Sequence, residues 1–493
     1  MSTLEQLIKT REEKIKELKK RGINPYPAKI GVKGDLIKIS QAKKSLDKIV
    51  LVAGRLWSLR EHGAMVFADL KDSEEKIQLL FNQKNLAVNS DVQAGPSLGW
   101  GEIELLDRGD FLAVSGKVFK TKAGEITVEV TELQLLSKSL RPLPTEWYGL
   151  KDVEERYRKR YLDLLLNPGV RERFNLRTKI VSALREYLDG LGFWEAETPT
   201  LQPLYGGANA KPFKTHLNAL HQDVYLRIAD ELYLKRLIVG GYEKVYEICK
   251  DFRNEGIDQT HFPEFTMVEY YQSYADYHQV MDVTEGLFKH IAKKVLNSTV
   301  IQVEDKSIDI GKKWQRITML EAIKQVLGFN AAEHPPEFLK KYCRENKIEL
   351  IDGETKGQLI FLIFEHLVAG KLIEPTWVLD YPKDVSPLAK QKSEDSDWVE
   401  RFEGYIGGKE ICDGWSELTD PREQRQRFET DVKTVRKDKE EAQQVDEDFL
   451  EAMEYGMPPL GGIGIGIDRL TMFFTNTWAI KETILFPTLK SKE

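Results

Sequence analysis

Between residues 461 and 470 the chain reads GGIGIGIDRL, with glycines at 462, 464 and 466. Alternate positions of a strand point to the same face, so this spacing predicts a strand with one side stripped of side chains. A planar ligand can lie flat against such bare peptide, where any Cβ would hold it off. The glycines do not follow the GxGxxG spacing of a dinucleotide turn, and the sequence contains no GxxxxGK[ST] phosphate loop. Asp468 and Arg469 follow at the start of a predicted helix. A close-packed strand crossing would use the same glycines, and the spacing alone leaves both readings open.

Two other segments carry charge in strand-like runs. VYEICKDFRNEG, a polar loop and PEFTMVEYY span residues 245 to 271. Read as two strands, they put Phe265, Met267, Glu269 and Tyr271 on one face, with Arg253 and Glu255 likewise sharing a face of the partner. Acids and an arginine recurring on one side of a sheet are costly unless a charged ligand or an ion-pair network satisfies them. In RFEGYIGGKEICDGWSEL, residues 401 to 418, Gly407-Gly408 fits a two-residue hairpin turn. That turn pairs Tyr405 with Glu410 and Glu403 with Cys412, leaving Glu403 and Glu410 diagonally adjacent on one face. Carboxylates that close repel unless a cation lies between them, and hard Mg²⁺ suits oxygen ligands completed by phosphate. Solvated acids on an edge strand are the other reading. Glu417 has the opposite parity to Glu410, so one site can use both only through a bulge, expected at the Asp413-Gly414 step.

The rest of the chain is organised around these segments. At 493 residues, 41% hydrophobic and 10% aromatic, it has the apolar area for more than one core. Residues 4 to 21 place Leu4, Leu7, Ile8, Arg11, Ile15 and Leu18 at helical spacing, with seven Lys/Arg against four Glu. A surface helix docked by its apolar stripe and an auxiliary phosphate-backbone contact both fit that pattern. Residues 49 to 136 switch to period two in five runs. The third and fourth are separated by a gap, 82 to 110, long enough for a helix, which is the order of an OB-fold barrel; a small sandwich gives similar alternation. Residues 137 to 149, with Pro142 and Pro144, read as a linker. Beyond 150, helical periods at 171 to 191 and 357 to 369 mix with strands not separated by single helices. That favours an antiparallel or mixed sheet. Residues 422 to 451 read as an exposed charged helical excursion. No apolar run approaches a membrane span, and the first ten residues lack a signal-peptide core. Cys249, Cys343 and Cys412 have neither disulfide-framework nor zinc-ribbon spacing, which fits a reducing cytoplasm. The net charge of −7 excludes nucleic-acid binding only if charge acts as a total, and it acts locally.

Taken together, the glycine strand ending in Asp-Arg, the FRNEG segment with Phe265, and the helix before GFWEAETPTL with Pro199 resemble motifs 3, 2 and 1 of class II aminoacyl-tRNA synthetases. GGANAKPF, RIADELYLKRL, VSPLAK and ILFP extend the resemblance to the lysyl-tRNA synthetases of that class, over residues 50 to 488. The rival synthetase class would need HIGH and KMSKS segments, which are missing.

The resemblance implies an α+β multidomain protein: a helical extension over 1 to 48, an OB-fold anticodon-binding barrel over 49 to 137, a linker over 138 to 150, and an antiparallel-sheet catalytic domain flanked by helices over 151 to 493. It implies ATP-dependent activation of lysine and its transfer to tRNA, with Mg²⁺, by a cytoplasmic homodimer formed through the motif 1 helix and Pro199. Arg253 would contact the α-phosphate and substrate carboxylate, Glu255 and His261 the nucleotide, and Phe265 and Arg469 the two faces of adenine, with Arg253 and Arg469 the catalytic pair. Glu403 and Glu410 would hold the metal. Gly207 and Glu231 would meet the α-amino group, Glu269, Tyr271 and Glu417 the side-chain ammonium, and Trp415 the lysine stem. Phe67 would stack on an anticodon base, with Gln78 and Glu132 reading base edges. A protein-lysylating paralogue and a catalytically impaired tRNA-binding relative are the alternatives. Asp413 departs from the family's usual Asn beside the substrate carboxylate, and Phe262 departs from its HNPEF. An ionised Asp413 would repel that carboxylate by about 4 kcal/mol at an effective dielectric near 20. It is therefore expected to be neutralised by Arg253 or another cation, rotated away, or protonated, and Asp413→Asn is expected to leave activation intact or improve it.

Overall fold

The computed structural model describes residues 3–86, 97–144, 150–351, 353–433 and 444–491. The chain divides into two compact units, residues 1–149 and 150–493.

In the first unit, strands Ile49–His62, Met65–Lys71, Lys76–Asn82, Phe111–Lys120 and Ile126–Ser137 close a barrel in the order first, second, third, fifth, fourth. Alternation supplies the core: Val66, Ala68 and Leu70 point inward, as do Ile77, Leu79 and Phe81. The gap before the fourth strand holds a short 3₁₀ helix, Trp100–Leu105, among its described residues. Helix Leu4–Lys20 docks on this unit. Leu18 is buried in the barrel core cluster, and Arg11 donates to the carbonyls of Arg108, Ser139 and Arg141. Of the two readings of that helix, the docked stripe is the one observed, although Leu4 and Leu7 remain exposed. Lys138, expected in the linker, is anchored in this unit by Asp107 at 2.5 Å and Asp110 at 2.7 Å.

The second unit is built on an eight-stranded sheet. Its order is Gln315–Thr318, Thr376–Pro382, Trp398–Ile406, Lys409–Ser416, Leu460–Gly466, Glu264–Ser273, Lys244–Phe252 and Trp194–Glu195. The outermost pair at each end is parallel and all the others are antiparallel. One face is covered by helices Pro168–Gly190, Tyr277–Leu296 and Ile467–Thr475, whose Leu184, Leu188, Met281, Phe288 and Leu470 pack on Val268, Tyr270, Ile463 and Ile465. The residues between these on the strands therefore face away from the helices, and there the sheet carries its polar groups. Among its described residues the charged segment over 422 to 451 is not an exposed excursion; residues 434 to 443 lie outside the described residues. Helices Pro421–Lys433 and Glu447–Glu454 bury Phe428, Phe449 and Leu450 against Leu234 and Ile238 of helix Glu231–Val239. Their density of charge hid these apolar anchors. No described helix is long and apolar enough to cross a membrane.

Candidate active site

The glycine strand forms the floor. Gly464 pairs with Glu269 on one side and Asp413 on the other, and Gly462 pairs with Tyr271 and Trp415. Ile463 and Ile465 fill the helix-covered face, so all the polar partners lie on the open side. A cavity of about 440 Å³ rises above this floor. Of the residues expected to serve nucleotide, metal and amino acid, every one except Glu417 lines it. Glu417 lies behind, with Oε1 only 2.6 Å from where a Cβ on Gly462 would sit.

A bulge makes this convergence possible. The hairpin turns at Gly407 and Gly408, with φ of +63° and +76°, and Tyr405 pairs with Glu410 as the turn requires. The next pairs are Gly404 with Cys412 and Glu403 with Asp413, so Ile411 is an extra residue without a counterpart. Glu403 thus lies opposite Asp413, not Cys412. The bulge that Glu417 demands exists, but two residues before the Asp413-Gly414 step. It brings Glu403, Glu410, Asp413, Trp415 and Glu417 to one face.

At the end of the cavity where the amino acid is expected, the acids are deeply buried. Glu269 is 6% exposed and Glu417 1%. Burial, reinforced by Glu231 and then Asp251, pushes Glu269 up to about 8. Burial also pushes Glu417 up to about 8, with Lys235 opposing and Glu231 adding. Acids held this way favour a cation beside them. Tyr271 donates to Glu269 Oε2 at 2.8 Å. Glu417 Oε2 receives Trp415 Nε1 at 2.6 Å and Lys235 Nζ at 2.5 Å, while its Oε1 has no partner. The ammonium of Lys235, wholly buried, also bonds Glu231. Sequence reasoning missed Lys235, which helical spacing alone does not distinguish from a solvated lysine. Gly207 sits at φ +85°, where a Cβ would crowd Ala229 at 3.0 Å and Glu231 at 3.2 Å, so the chain can pass close to Glu231 only as glycine.

At the end where the nucleotide is expected, Arg253 has its Nε 3.4 Å from the Ile228 carbonyl and its guanidinium 5.1 Å from the centre of the Phe265 ring. Arg469 reaches Glu410 at 3.2 Å and His261 Nε2 at 3.1 Å, and His261 Nδ1 contacts Asp258 at 2.8 Å. Three of the expected nucleotide side chains, Arg469, Glu410 and His261, therefore already contact one another. Glu255 is exposed, 3.4 Å from the Lys211 amide. Asp468 sets the start of this helix: it accepts from the Thr266 amide at 2.7 Å and from Arg177 at 2.7 Å. Phe262 packs with Met472 and Ile480, which accounts for an apolar residue there.

Asp413 is neutralised by Arg401, not Arg253. The guanidinium forks onto both carboxylate oxygens at 2.9 and 2.8 Å, and its Nη2 also reaches Glu403 Oε1 at 2.8 Å. Asp413→Asn removes one charge from that fork, and charge-assisted bonds contribute about 1.5–3 kcal/mol. The expected result is a lowered thermal midpoint, checked by differential scanning calorimetry; an unchanged midpoint would show that the fork stabilises nothing. Glu403 and Glu410 offer only oxygen, the donor chemistry that suits Mg²⁺. Burial pushes Glu403 up to about 8 even though Arg401 opposes it, with Asp413 and Glu410 adding to the rise. Tyr405 also bonds Glu403, so Glu410, half-buried and tied to Arg469, is the freer of the two.

In the barrel, Phe67, Gln78 and Glu132 are all half-buried outside the core cluster. Asp69 pairs with Gln78, so Phe67, two residues from Asp69, shares the face of Gln78. The ring of Phe67 meets His62 edge-on at 6.0 Å, and Gln78 Oε1 accepts from Thr127 at 2.8 Å. Phe67 is therefore no core residue.

Comparison with known proteins is consistent across the chain. The family described as tRNA synthetases class II (D, K and N) matches residues 152–490, and that described as OB-fold nucleic acid binding domain matches residues 50–136. The chain is 47% identical over 493 residues to a protein of Carboxydothermus hydrogenoformans named lysine–tRNA ligase, covering 99% of both. It is 47% identical over 489 residues to one of the same name from Moorella thermoacetica, covering 99% of this chain and 98% of the relative. A lysine–tRNA ligase 2 of Methanosarcina mazei is 47% identical over 478 residues, covering 96% of this chain and 92% of that one.

Proposed function

This chain belongs to the class II tRNA synthetases, and from that premise we propose that it activates L-lysine with ATP and transfers the lysyl group to the 3′ end of tRNA(Lys). The observation that carries the lysine assignment is the acid wall of the cavity: Glu269 and Glu417, both buried, with Glu417 Oε1 left without a partner. A buried carboxylate oxygen without a donor is costly, and an arriving ammonium relieves it. Aspartate or asparagine would bring no such cation.

In the first step the ionised α-carboxylate of lysine attacks the α-phosphorus of ATP, forming the acyl–phosphate bond while pyrophosphate leaves. No protein nucleophile is needed, so the residues act by positioning and by stabilising charge. Arg253 holds the carboxylate and α-phosphate together, and Phe265 stacks on adenine. Arg469 releases Glu410 and His261 to meet the nucleotide. Glu231 and the backbone at Gly207 hold the α-amino group, and Trp415 flanks the stem of the side chain, which ends between Glu269, Tyr271 and Glu417. Glu403 and Glu410 would hold Mg²⁺, which when bound neutralises phosphate oxygens. In the second step a ribose hydroxyl of the terminal nucleotide attacks the lysyl carbonyl and AMP leaves. The barrel reads the anticodon with Phe67 by stacking and with Gln78 and Glu132 at base edges. The working form is a cytoplasmic homodimer joined through helix Pro168–Gly190 and the segment at Pro199.

ATP–pyrophosphate exchange with each amino acid in turn, followed by charging of total tRNA, tests this. Exchange with lysine well above every other amino acid, and charging of lysine acceptors alone, is the expected result; exchange driven by another amino acid, or none at all, would overturn it.

A further inference from the structure

Behind the acid wall lies a second group of carboxylates, sealed from solvent. Asp230 immediately precedes helix Glu231–Val239, Glu247 and Asp251 lie on strand Lys244–Phe252, and Glu269 faces them from the adjoining strand. Their exposures are 0%, 2%, 0% and 6%. Glu247 is satisfied: Thr198 donates its amide at 3.1 Å and its hydroxyl at 2.7 Å, and Arg227 its Nη1 at 2.7 Å. Asp251 Oδ1 has Arg227 Nε at 3.5 Å and the Cys249 thiol at 3.6 Å. Three oxygens remain without any partner, both of Asp230 and Oδ2 of Asp251. Asp230, Asp251 and Glu269 each bring an oxygen within 4.8 Å of the other two. Among the described residues Arg227 is the cation paired with Glu247 and Asp251, and Arg253 pulls on Asp251 from further away, with an effect on it at least as large as that of Arg227.

We propose that Asp230, Asp251 and Glu269 form a binding site for a hard divalent cation, distinct from the Glu403–Glu410 pair and seated behind the amino-acid end of the cavity. A proton shared between Asp230 and Glu269 would satisfy one oxygen of each. It would leave the second Asp230 oxygen and Asp251 Oδ2 bare in a dry interior, where unpaired acceptors are costly. A divalent cation engages all three carboxylates together. The ligand set is oxygen, which selects the Mg²⁺, Ca²⁺ and Mn²⁺ class. Cys249 stands close to Asp230 and Glu247, but burial holds its thiol protonated and its hydrogen is directed to Asp251, so a softer metal gains no thiolate there. The cation fixes the start of the helix that carries Glu231 and Lys235, and orients Glu269 from the side opposite to the substrate. It is thus a positioning element for the amino-acid end, and its existence does not depend on which amino acid is activated.

The test uses the full-length protein, stripped with a chelator and free of ATP, dialysed to equilibrium against Mn²⁺, with bound metal read by electron paramagnetic resonance and elemental analysis. About one Mn²⁺ per chain is expected, displaced by Ca²⁺ or Mg²⁺ and accompanied by a raised thermal midpoint. Asp230→Asn and Asp251→Asn should each lose the ion while Glu410→Gln keeps it. No Mn²⁺ on the wild-type protein at millimolar metal overturns the proposal in favour of the shared proton, whether or not the variants fold. An ion retained by both aspartate variants, or lost only in Glu410→Gln, overturns it as well.

Discussion

Lys235→Met is expected to destabilise the protein by about 3–5 kcal/mol, the range for breaking a buried ion pair by deleting one partner. Methionine fills most of the same space, is one heavy atom shorter, and removes the charge together with its donors. Glu231 and Glu417 would then face each other across a fully buried gap that Lys235 now fills. The same change is expected to raise the KM for lysine by about tenfold or more while that for ATP stays within about twofold, because in the proposed site the two acids meet opposite ends of the amino acid. Urea denaturation and pyrophosphate exchange measure the two effects. A loss of stability under about 1 kcal/mol would mean that the acids are neutral in the native protein and need no resident cation.

Gly462→Ala should cripple lysine activation where Gly464→Ala does not. A Cβ at 462 would lie 2.3 and 2.4 Å from ring atoms of Tyr271 and 2.6 Å from Glu417 Oε1. Neither neighbour can retreat, since Tyr271 is buried and bonded to Glu269, and Glu417 is pinned by Lys235 and Trp415. At 464 the nearest atom is Met267 Cε at 2.9 Å, the free end of a flexible side chain. A displacement of about 1 Å in a positioned site costs on the order of 100-fold in kcat/KM. The expected profile is a loss of that size for lysine in Gly462→Ala, with Gly464→Ala affecting chiefly the KM for ATP. Equal losses in the two variants would contradict the assignment of Gly462 to the amino-acid end.

How much of this was legible in the sequence depended on whether spacing carried the information. The bare face of Leu460–Gly466 follows from alternation alone, and the Gly407-Gly408 turn fixes the first pair of its hairpin. Parity showed that Glu410 and Glu417 could share a site only through a bulge. It could not say which residue would be extra, because that depends on how Gly404 packs: a Cβ there would strike Cys412 Sγ and Trp377 at 2.7 Å. Buried charge was the least legible. Lys235 and Asp230 occur in a stretch whose helical pattern suits a surface as well as a core, and Asp251 alternates as a solvated strand residue would. Arg401 escaped notice because its partner Asp413 lies diagonally across the hairpin, since Arg401 itself pairs with Trp415. Such charges are recognised only once the partner strand is in register.

The unmatched Ile411 has an evolutionary consequence. If the strand paired regularly from the turn, with Ile411 opposite Gly404, the following stretch would turn over, presenting Cys412, Gly414 and Ser416 upward and sending Asp413, Trp415 and Glu417 into the helical layer. Deleting Ile411 itself would instead keep Gly404 opposite Cys412 and Glu403 opposite Asp413. Descendants of this chain can therefore lose the bulged residue without losing register, whereas an insertion or deletion between Cys412 and Ser416 must be repaired in the same step.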